Sequence, residues 1–208
     1  LGPIDAWLRK ENKRSKPDKE IEARIGKRER FTLFAQEDRL YVEGETAFAL
    51  ARVGGIDYRF PLSHFFQSNL GLAPALAKEA VQGASGERAA DLYAGAGLFS
   101  ARLARSFGHV DLVESDTVSL EAARSNVPPG KGRFHGLDVN DWAKAEMGKA
   151  RKGNASRYDW VVLDPPRTGL STTVKEWLFA AQPGGVSYVS CDLGTFSRDL
   201  GEFLATGG

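Results

Sequence analysis

Alternating strand-like and helix-like segments fill more than half of this chain and constrain its fold more than any other feature of the sequence. From residue 88 onward, short apolar runs alternate with longer stretches whose apolar residues recur at helical spacing. The strand-like runs are RAADLY, HVDLVES, GRFHGLD, YDWVVLD and GVSYVSC, and the helical stretches are LFSARLARSFG, TVSLEAARSNV, DWAKAEMGKA, STTVKEWLFAA and GTFSRDLGEFLA. Right-handed crossovers between parallel strands place helices on both faces of a sheet. We therefore expect an α/β fold with a doubly wound parallel sheet.

The first 62 residues have a different pattern and are predicted to form a small N-terminal α+β segment. Residues 1–30 are typical of charged helix and loop, and residues 31–61 contain the short β-like runs FTLFAQ, RLYVEG and AFALARVGG. A helix is predicted over 70–82, with an apolar face of Leu72, Leu76, Ala80 and Val81. We expect two parts, 1–62 and 63–208. Strand 186–190 has a buried-strand composition but would lie at the sheet edge, which predicts further C-terminal strands.

Composition excludes several classes of protein. The chain has 208 residues, of which 42% are hydrophobic and 26% charged, as in ordinary globular proteins. It contains neither a long apolar run nor a signal-peptide pattern, so we expect no membrane contact. One cysteine and three histidines without ligand spacing predict no metal site and a reducing, cytoplasmic setting. The basic run Arg9–Arg30 fits either a solvated helix or a phosphate-facing patch.

The first strand-to-helix turn, DLYAGAGLFS, has features of a nucleoside-binding loop. Asp91 ends the strand, and Gly95 and Gly97 allow the backbone to approach a ligand at a helix N-terminus. About 20 residues further on, Glu114 ends the next strand, where a carboxylate binds ribose hydroxyls. Ser100 occupies the position of the third glycine of dinucleotide-binding loops. This disfavours NAD and favours S-adenosylmethionine, which has no pyrophosphate.

Further polar residues follow the next three strands. Asp138 is placed either to receive an adenine amino group or to cap the following helix, and the sequence does not separate the two. Asp164 and Cys191 end neighbouring strands, on the side where open α/β sheets bind ligands. A lone cysteine is more often a small buried side chain, but this position before a helix favours a nucleophile. His64 either faces a substrate or is a polar loop residue, and the second interpretation is the simpler.

Five motifs together resemble a known enzyme family. They are FFQSN, DLYAGAG, LVES, LDPPRTGL and SCDLGTFSRDL, and they occur in order between Phe65 and Leu200. With them the chain resembles the S-adenosylmethionine-dependent RNA 5-methyluridine methyltransferases that act on uracil C5 in 23S rRNA or tRNA. The resemblance implies that 63–208 is a Rossmann-like methyltransferase domain. It also implies S-adenosylmethionine as the cofactor, RNA as the partner and, for the 1–62 segment, contact with that RNA; we expect a monomer.

The resemblance also implies roles for single residues. Gln67, Tyr93, Glu114 and Asp164, and more loosely Asp138, match cofactor-contacting positions of the family. Cys191 matches the nucleophile that attacks C6 of uridine, while Phe65 and Arg167 match positions near the target base and the RNA.

Three departures from the family pattern stand out. Leu98 replaces the usual Asn after the second glycine, and Asp192-Leu193 replaces the Asn-Pro that follows the cysteine. The family's general base, a glutamate in a His-Val-Glu stretch, has no counterpart in the printed sequence. If the chain ends at Gly208, we expect cofactor binding with slow turnover and a trapped covalent RNA adduct. The family's amino-terminal β-barrel and the iron–sulfur cysteines of some members are also without counterpart.

Four other functions remain open at this level. Methylation of cytosine C5 uses a cysteine in the fourth-strand motif, where this chain has Asp-Pro-Pro-Arg. Methylation of an exocyclic amine would use Asp164 and leave Cys191 without a role. An RNA-binding module without catalysis would tolerate Leu98. A nicotinamide oxidoreductase is disfavoured by Ser100.

Overall fold

The computed structural model describes residues 33–36, 39–42, 48–62, 64–67 and 69–205. The chain divides into two compact units, Leu1–Ala47 and Phe48–Gly208. In the first unit, β1 (Leu33–Gln36) pairs antiparallel with β2 (Arg39–Val42). The charged helix predicted for residues 1–30 lies outside the described residues.

A five-stranded parallel sheet forms the centre of the second unit and confirms the predicted fold class. Its strands are β5 (Gly86–Leu92), β6 (Phe107–Val113), β7 (Gly132–His135), β8 (Trp160–Leu163) and β9 (Val186–Tyr188), in the order β7-β6-β5-β8-β9. Most of the buried residues of the central strands are apolar because helices cover both faces, and Asp91 and Asp111 are the buried carboxylates among them. Within the described residues, β9 is hydrogen-bonded to β8 alone.

Six helices follow in chain order within the described residues. They are α1 (Ala73–Glu79), α2 (Ser100–Leu103), α3 (Thr117–Asn126), α4 (Val139–Arg151), α5 (Thr172–Ala181) and α6 (Leu193–Ala205). One apolar cluster buries α1, α2 and α3 against one sheet face. A second cluster, with Trp142 and Trp177 at its centre, buries α4 and α5 against the other face. No helix of this described part is long and apolar enough to cross a membrane.

A hairpin precedes α1 and packs on the same face as α3. β3 (Phe48–Val53) and β4 (Ile56–Pro61) are joined by Gly54-Gly55, both with positive φ, as a two-residue hairpin turn requires. The Asn126 side chain donates to the carbonyls of Arg59 and Ala96 and accepts from the Arg59 N–H. The Tyr58 hydroxyl donates to the Leu98 carbonyl at 2.9 Å. The hairpin thus groups with 48–208, although the predicted boundary falls after it, at residue 62.

Two predicted helices were too long. The stretch 98–108 forms only the short α2, and buried Phe107 begins β6, where it pairs with Gly86. Because Leu103 and Phe107 are also spaced as on one face of a helix, the apolar pattern could not distinguish a continuous helix from a short helix followed by a strand. The helix predicted over 70–82 is confined to Ala73–Glu79. Leu72, which lies before its first turn, is exposed instead of lying on the apolar face.

Candidate active site

The register of the parallel strands places the predicted site residues at one edge of the sheet. Leu92 is the partner of both Val113 and Leu163, and Leu163 is the partner of Tyr188. The residues that follow these strand ends therefore emerge side by side. They are Tyr93, Glu114, Asp164 and the Val189–Cys191 loop. Backbone hydrogen bonds continue the alignment one residue further, from Asp164 N–H to the Leu92 carbonyl and from Val189 N–H to the Leu163 carbonyl.

The loop after β5 has a strained conformation. Tyr93 has φ of 64°, a left-handed value that costs energy in a residue with a side chain. Gly97, at φ of 81°, lies so close to α3 that an added Cβ would stand 3.1 Å from the Ala123 Cβ. Gly95 also has positive φ, and the space beside its Cα is open. Gly97 therefore permits close packing of the loop on α3, and Gly95 leaves room for a ligand.

The Glu114 carboxylate is held by backbone groups on two sides. The Gly95 N–H donates to its Oε2 at 2.9 Å, and the Asp116 N–H donates to its Oε1 at 2.7 Å. The Ser115 hydroxyl also donates to Oε1, at a long 3.4 Å, whereas Oε2 can accept a second hydrogen bond. The side chain is therefore oriented in advance, with an acceptor position at Oε2 left for a ligand's hydroxyl group.

A cavity of about 630 Å³ opens at this edge of the sheet. Its volume lies within the range of small-molecule sites. Its lining comprises His64, Phe65, Gln67, Leu76, Tyr93, Gly95, Glu114, Asp116, Ser119, Asp164, Pro165, Pro166, Arg167, Val189, Ser190 and Cys191. Eight residues predicted for the site are therefore brought together, namely Gln67, Tyr93, Gly95, Glu114, Asp164, Phe65, Arg167 and Cys191.

Two predicted cofactor residues do not line the cavity. Gly97 is buried against α3, and Asp138 is exposed at the start of α4. The Asp138 Oδ1 accepts the Asn140 N–H at 2.8 Å, which is the helix-capping alternative that the sequence left open. His64, Asp116 and Ser119 line the cavity, but sequence reasoning did not assign them to the cofactor site. The sequence Asp-Thr-Val-Ser at the start of α3 is typical of a helix N-cap. This cap holds Asp116 beside Glu114.

One buried and one partly buried carboxyl group give the site unusual electrostatics. Burial raises the pKa of Asp164 to about 6. Asp91 is fully buried beneath the loop, and its Oδ2 accepts the Ser100 hydroxyl. Burial raises the pKa of Asp91 to about 7; the Ser100 hydrogen bond opposes this rise, and the charges of Asp164 and Glu114 add to it. Three neighbouring carboxyl groups favour a ligand that carries positive charge.

Asp91 should make the stability of the protein depend on pH. Because its folded pKa is raised from about 4 to about 7, its stabilising contribution is complete below pH 4 and lost as the pH rises through 7. The loss is on the order of 4 kcal/mol. Urea unfolding at a series of pH values should show this decline in the wild type and a flatter profile in Asp91→Asn. The exposed Asp57→Asn serves as the control, and parallel profiles for wild type and Asp91→Asn would contradict the assignment.

Asp199 connects the loop that carries Asp164 to β9 and α6, the two elements on either side of the Cys191 loop. It lies on α6 with none of its surface exposed. Its Oδ2 accepts the Leu170 N–H of the Asp164 loop at 2.8 Å and the Tyr188 hydroxyl of β9 at 2.8 Å. Its Oδ1 accepts from the Arg198 guanidinium and lies 3.6 Å from the Lys175 Nζ. One buried carboxylate thereby joins α6, β9, α5 and the end of the Asp-Pro-Pro-Arg motif.

The Cys191 loop keeps a regular turn despite the Asp-Leu that follows the cysteine. The Asp192 Oδ1 accepts the Thr195 N–H at 2.9 Å at the start of α6, and the Ser190 hydroxyl donates to the Asp192 carbonyl at 2.9 Å. Asp and Asn are equally good caps at this position. Cys191 is exposed and is not in a disulfide. Its thiol is thus accessible from the cavity.

Together the fold and the site define a class of protein. The parallel sheet, the glycine-containing first turn and the carboxylates at the strand ends are those of a Rossmann-like methyltransferase fold. No family model matches the sequence. A solved structure of this class, the Pyrococcus abyssi tRNA (uracil-54, C5)-methyltransferase in complex with S-adenosyl-L-homocysteine, matches with a TM-score of 0.61 and 29% identity. The match covers 79% of this chain and 39% of that chain.

Curated relatives agree with the structural match. The tRNA (uracil(54)-C(5))-methyltransferase of Pyrococcus abyssi is 32% identical over 153 residues, which are 74% of this chain and 36% of the relative. A Thermotoga maritima protein named as an uncharacterized RNA methyltransferase is 34% identical over 158 residues, 72% of this chain and 34% of the relative. The chain spans about a third of the length of these two relatives. The resemblance to the RNA uracil-C5 methyltransferases is thus confirmed.

Proposed function

We propose that this chain is the catalytic part of a cytoplasmic enzyme that transfers a methyl group from S-adenosylmethionine to C5 of a uridine in rRNA or tRNA. One observation carries the proposal. A single continuous cavity is lined both by Glu114 and Gly95, which suit a nucleoside, and by Asp164, Arg167 and Cys191, which suit a reacting base. The similarity to enzymes named as tRNA (uracil-C5)-methyltransferases supports the same reaction.

The residues of one half of the cavity fit S-adenosylmethionine. Glu114 would accept hydrogen bonds from the ribose of the cofactor. The open space at Gly95 would let the cofactor approach the backbone of the loop, and Gln67 and Tyr93 would line the rest of this half of the cavity. Asp164, which lines the cavity, would face the positive charge of the cofactor, and both Asp164 and the buried Asp91 would ionise more readily near that charge. When bound, the cofactor supplies a methyl group on a cationic sulfur as the electrophile.

The other half of the cavity would hold the target base. Phe65 is 74% exposed at its rim, where an aromatic ring can stack on an unpaired base. Arg167 is exposed beyond rigid Pro165-Pro166, and its charge suits an RNA phosphate. The prolines hold Asp164 and Arg167 in fixed directions. A uridine in a loop, or one flipped from a stack, would reach Cys191.

The reaction requires a nucleophile because uracil C5 is not electron-rich enough to attack a methyl group directly. The Cys191 thiolate would form a bond to C6, which makes C5 enolate-like and able to accept the methyl group. Asp164 would orient the base and the cofactor. Removal of the C5 proton by a base then lets the S–C6 bond break, which returns the thiolate and yields 5-methyluridine.

The direct test is incubation of the protein with unmodified rRNA or tRNA and methyl-labelled S-adenosylmethionine, followed by nucleoside mass spectrometry. The proposal expects label in 5-methyluridine. Label in 5-methylcytidine or in a base methylated on its amino group would replace the proposal with one of the other reactions. Comparison of RNA from cells with and without the protein would identify the modified nucleotide.

Glu114 should control the affinity for the cofactor. Glu114→Ala removes acceptors for the ribose and for the Gly95 N–H, so we expect the Kd for S-adenosylhomocysteine to rise roughly 10- to 100-fold. Isothermal titration calorimetry measures this, with NAD as a ligand that should not bind. Glu121→Ala is a matched control because Glu121 is an exposed residue of α3 that forms an ion pair with Arg124 and does not line the cavity. Unchanged affinity in Glu114→Ala would refute the assignment.

A further inference from the structure

His64 and Asp116 contact each other at the cavity. The His64 Nε2 lies 3.2 Å from the Asp116 Oδ2, and both side chains are about one-third exposed. Both residues line the cavity. They come from different parts of the fold, since His64 follows β4 and Asp116 precedes α3. The sequence offered only two interpretations for His64, a substrate contact or a polar loop residue, and neither included this partner.

Asp116 is firmly attached to the wall that carries Glu114. Its Oδ1 accepts the Ser119 N–H at 2.6 Å as the N-cap of α3, and its own N–H donates to Glu114. Burial would raise the pKa of Asp116, but the Ser119 hydrogen bonds and the nearby His64 outweigh burial and lower it. The carboxylate is therefore a fixed, negatively charged anchor, and its Oδ2 is directed at His64.

The segment 64–67 has its other attachment on the hairpin side. Phe66 stacks on Phe60 with ring centroids 4.3 Å apart and planes within 8°. Phe65 and Gln67, on either side of Phe66, both line the cavity. The His64 N–H also donates to the Pro61 carbonyl, at a long 3.3 Å. The segment thus has one apolar attachment through Phe66 and one polar attachment through His64.

We propose that the His64–Asp116 contact is a clasp that holds segment 64–67 against the cofactor wall. His64 is then a positioning residue that acts through Gln67 and Phe65 and slows the release of the cofactor. The identity of the ligand rests on the proposed function; the clasp itself does not. A hydrogen bond to a carboxylate is stronger than one between neutral groups, and a neutral donor on a side chain of similar length should replace part of the contact.

Hydrogen exchange of the ligand-free protein tests the clasp directly. In His64→Leu, the backbone amides of 64–67 should exchange roughly 5- to 20-fold faster than in the wild type, because one charge-assisted contact is lost. His64→Gln keeps a donor and should restore most of the protection. Arg52→Leu is the matched control, since it removes another exposed ion pair of the same unit, with Asp57 at 3.8 Å. Equal exchange in wild type and His64→Leu, or equal acceleration in Arg52→Leu, would overturn the clasp.

Binding and kinetics test its role toward the cofactor. In His64→Leu the KM for S-adenosylmethionine and the Kd for S-adenosylhomocysteine should rise about 5- to 20-fold, with kcat at saturating cofactor unchanged and with recovery in His64→Gln. Faster exchange with unchanged Kd would overturn the cofactor role. If the wild type binds no S-adenosylhomocysteine, the proposed function fails, and hydrogen exchange still decides the clasp.

Discussion

Replacement of Cys191 by alanine should abolish methyl transfer to uridine, with a loss on the order of 10⁴-fold or more, as for other covalent nucleophiles. Without the S–C6 bond, C5 remains too weak a nucleophile for the transfer. Cys191 is exposed at the cavity, so its truncation removes no buried packing. Folding and affinity for S-adenosylhomocysteine should therefore match the wild type. Cys191→Ser should also be inactive, because a serine hydroxyl is not ionised at neutral pH.

Two measurements check this result. Nucleoside mass spectrometry of the treated RNA reports the loss of 5-methyluridine, and intact-mass analysis reports the covalent protein–RNA adduct, which should form in the wild type and vanish in Cys191→Ala. Ser197→Ala is the control, as an exposed position on α6 that does not line the cavity. A methylated exocyclic amine formed by Cys191→Ala would indicate an amine methylase, and undiminished 5-methyluridine or an adduct that survives the substitution would place the nucleophile elsewhere.

Asp199→Ala should be the most destabilising of the substitutions considered for this protein, with a loss of about 3–5 kcal/mol in the free energy of unfolding. The substitution leaves the Leu170 N–H and the Tyr188 hydroxyl without their acceptor. It also leaves Lys175, whose side chain is 10% exposed, without one of its two carboxylate partners. Because Asp199 joins the loop that carries Asp164 to the two elements that flank Cys191, methyl transfer should fall further than the folded fraction does.

The pH dependence of this loss has a definite sign. Burial would raise the pKa of Asp199, but hydrogen bonds from Leu170, Arg198 and Tyr188 and the Arg198 charge outweigh it and hold the pKa below its usual value. The contribution of Asp199 is therefore present above about pH 4 and lost as the pH falls through the folded pKa. Urea unfolding should show the penalty of Asp199→Asn shrinking in acid.

Glu202→Ala is the matched control for Asp199. Glu202 also contacts Lys175, but its side chain is 49% exposed, so we expect a change of less than about 1 kcal/mol. Equal losses of stability in Asp199→Ala and Glu202→Ala would show that the burial of Asp199 and its hydrogen bonds to Leu170 and Tyr188 do not explain its importance. Near-normal stability in Asp199→Ala would contradict the assignment outright.

The sequence by itself determined the sheet and most of the cavity lining. Strand and helix periods are local signals, and parallel strands end at one edge, so polar residues after the strands meet there whatever the details of packing. This reasoning reached Glu114, Asp164 and Cys191, and the family motifs added Gln67, Tyr93, Phe65 and Arg167. Each of these residues lines the cavity.

Only the tertiary structure decided which polar residues act as connectors. Asp199 reaches Leu170 and Tyr188, Asn126 holds the hairpin and His64 meets Asp116, and none of these pairs has a periodic signature in the sequence. Asp138 shows the same limit, since only its position relative to the cavity separates a helix cap from a cofactor contact. Such contacts depend on how segments that are far apart in the sequence pack together in three dimensions, and a local sequence pattern contains no information about which segments meet.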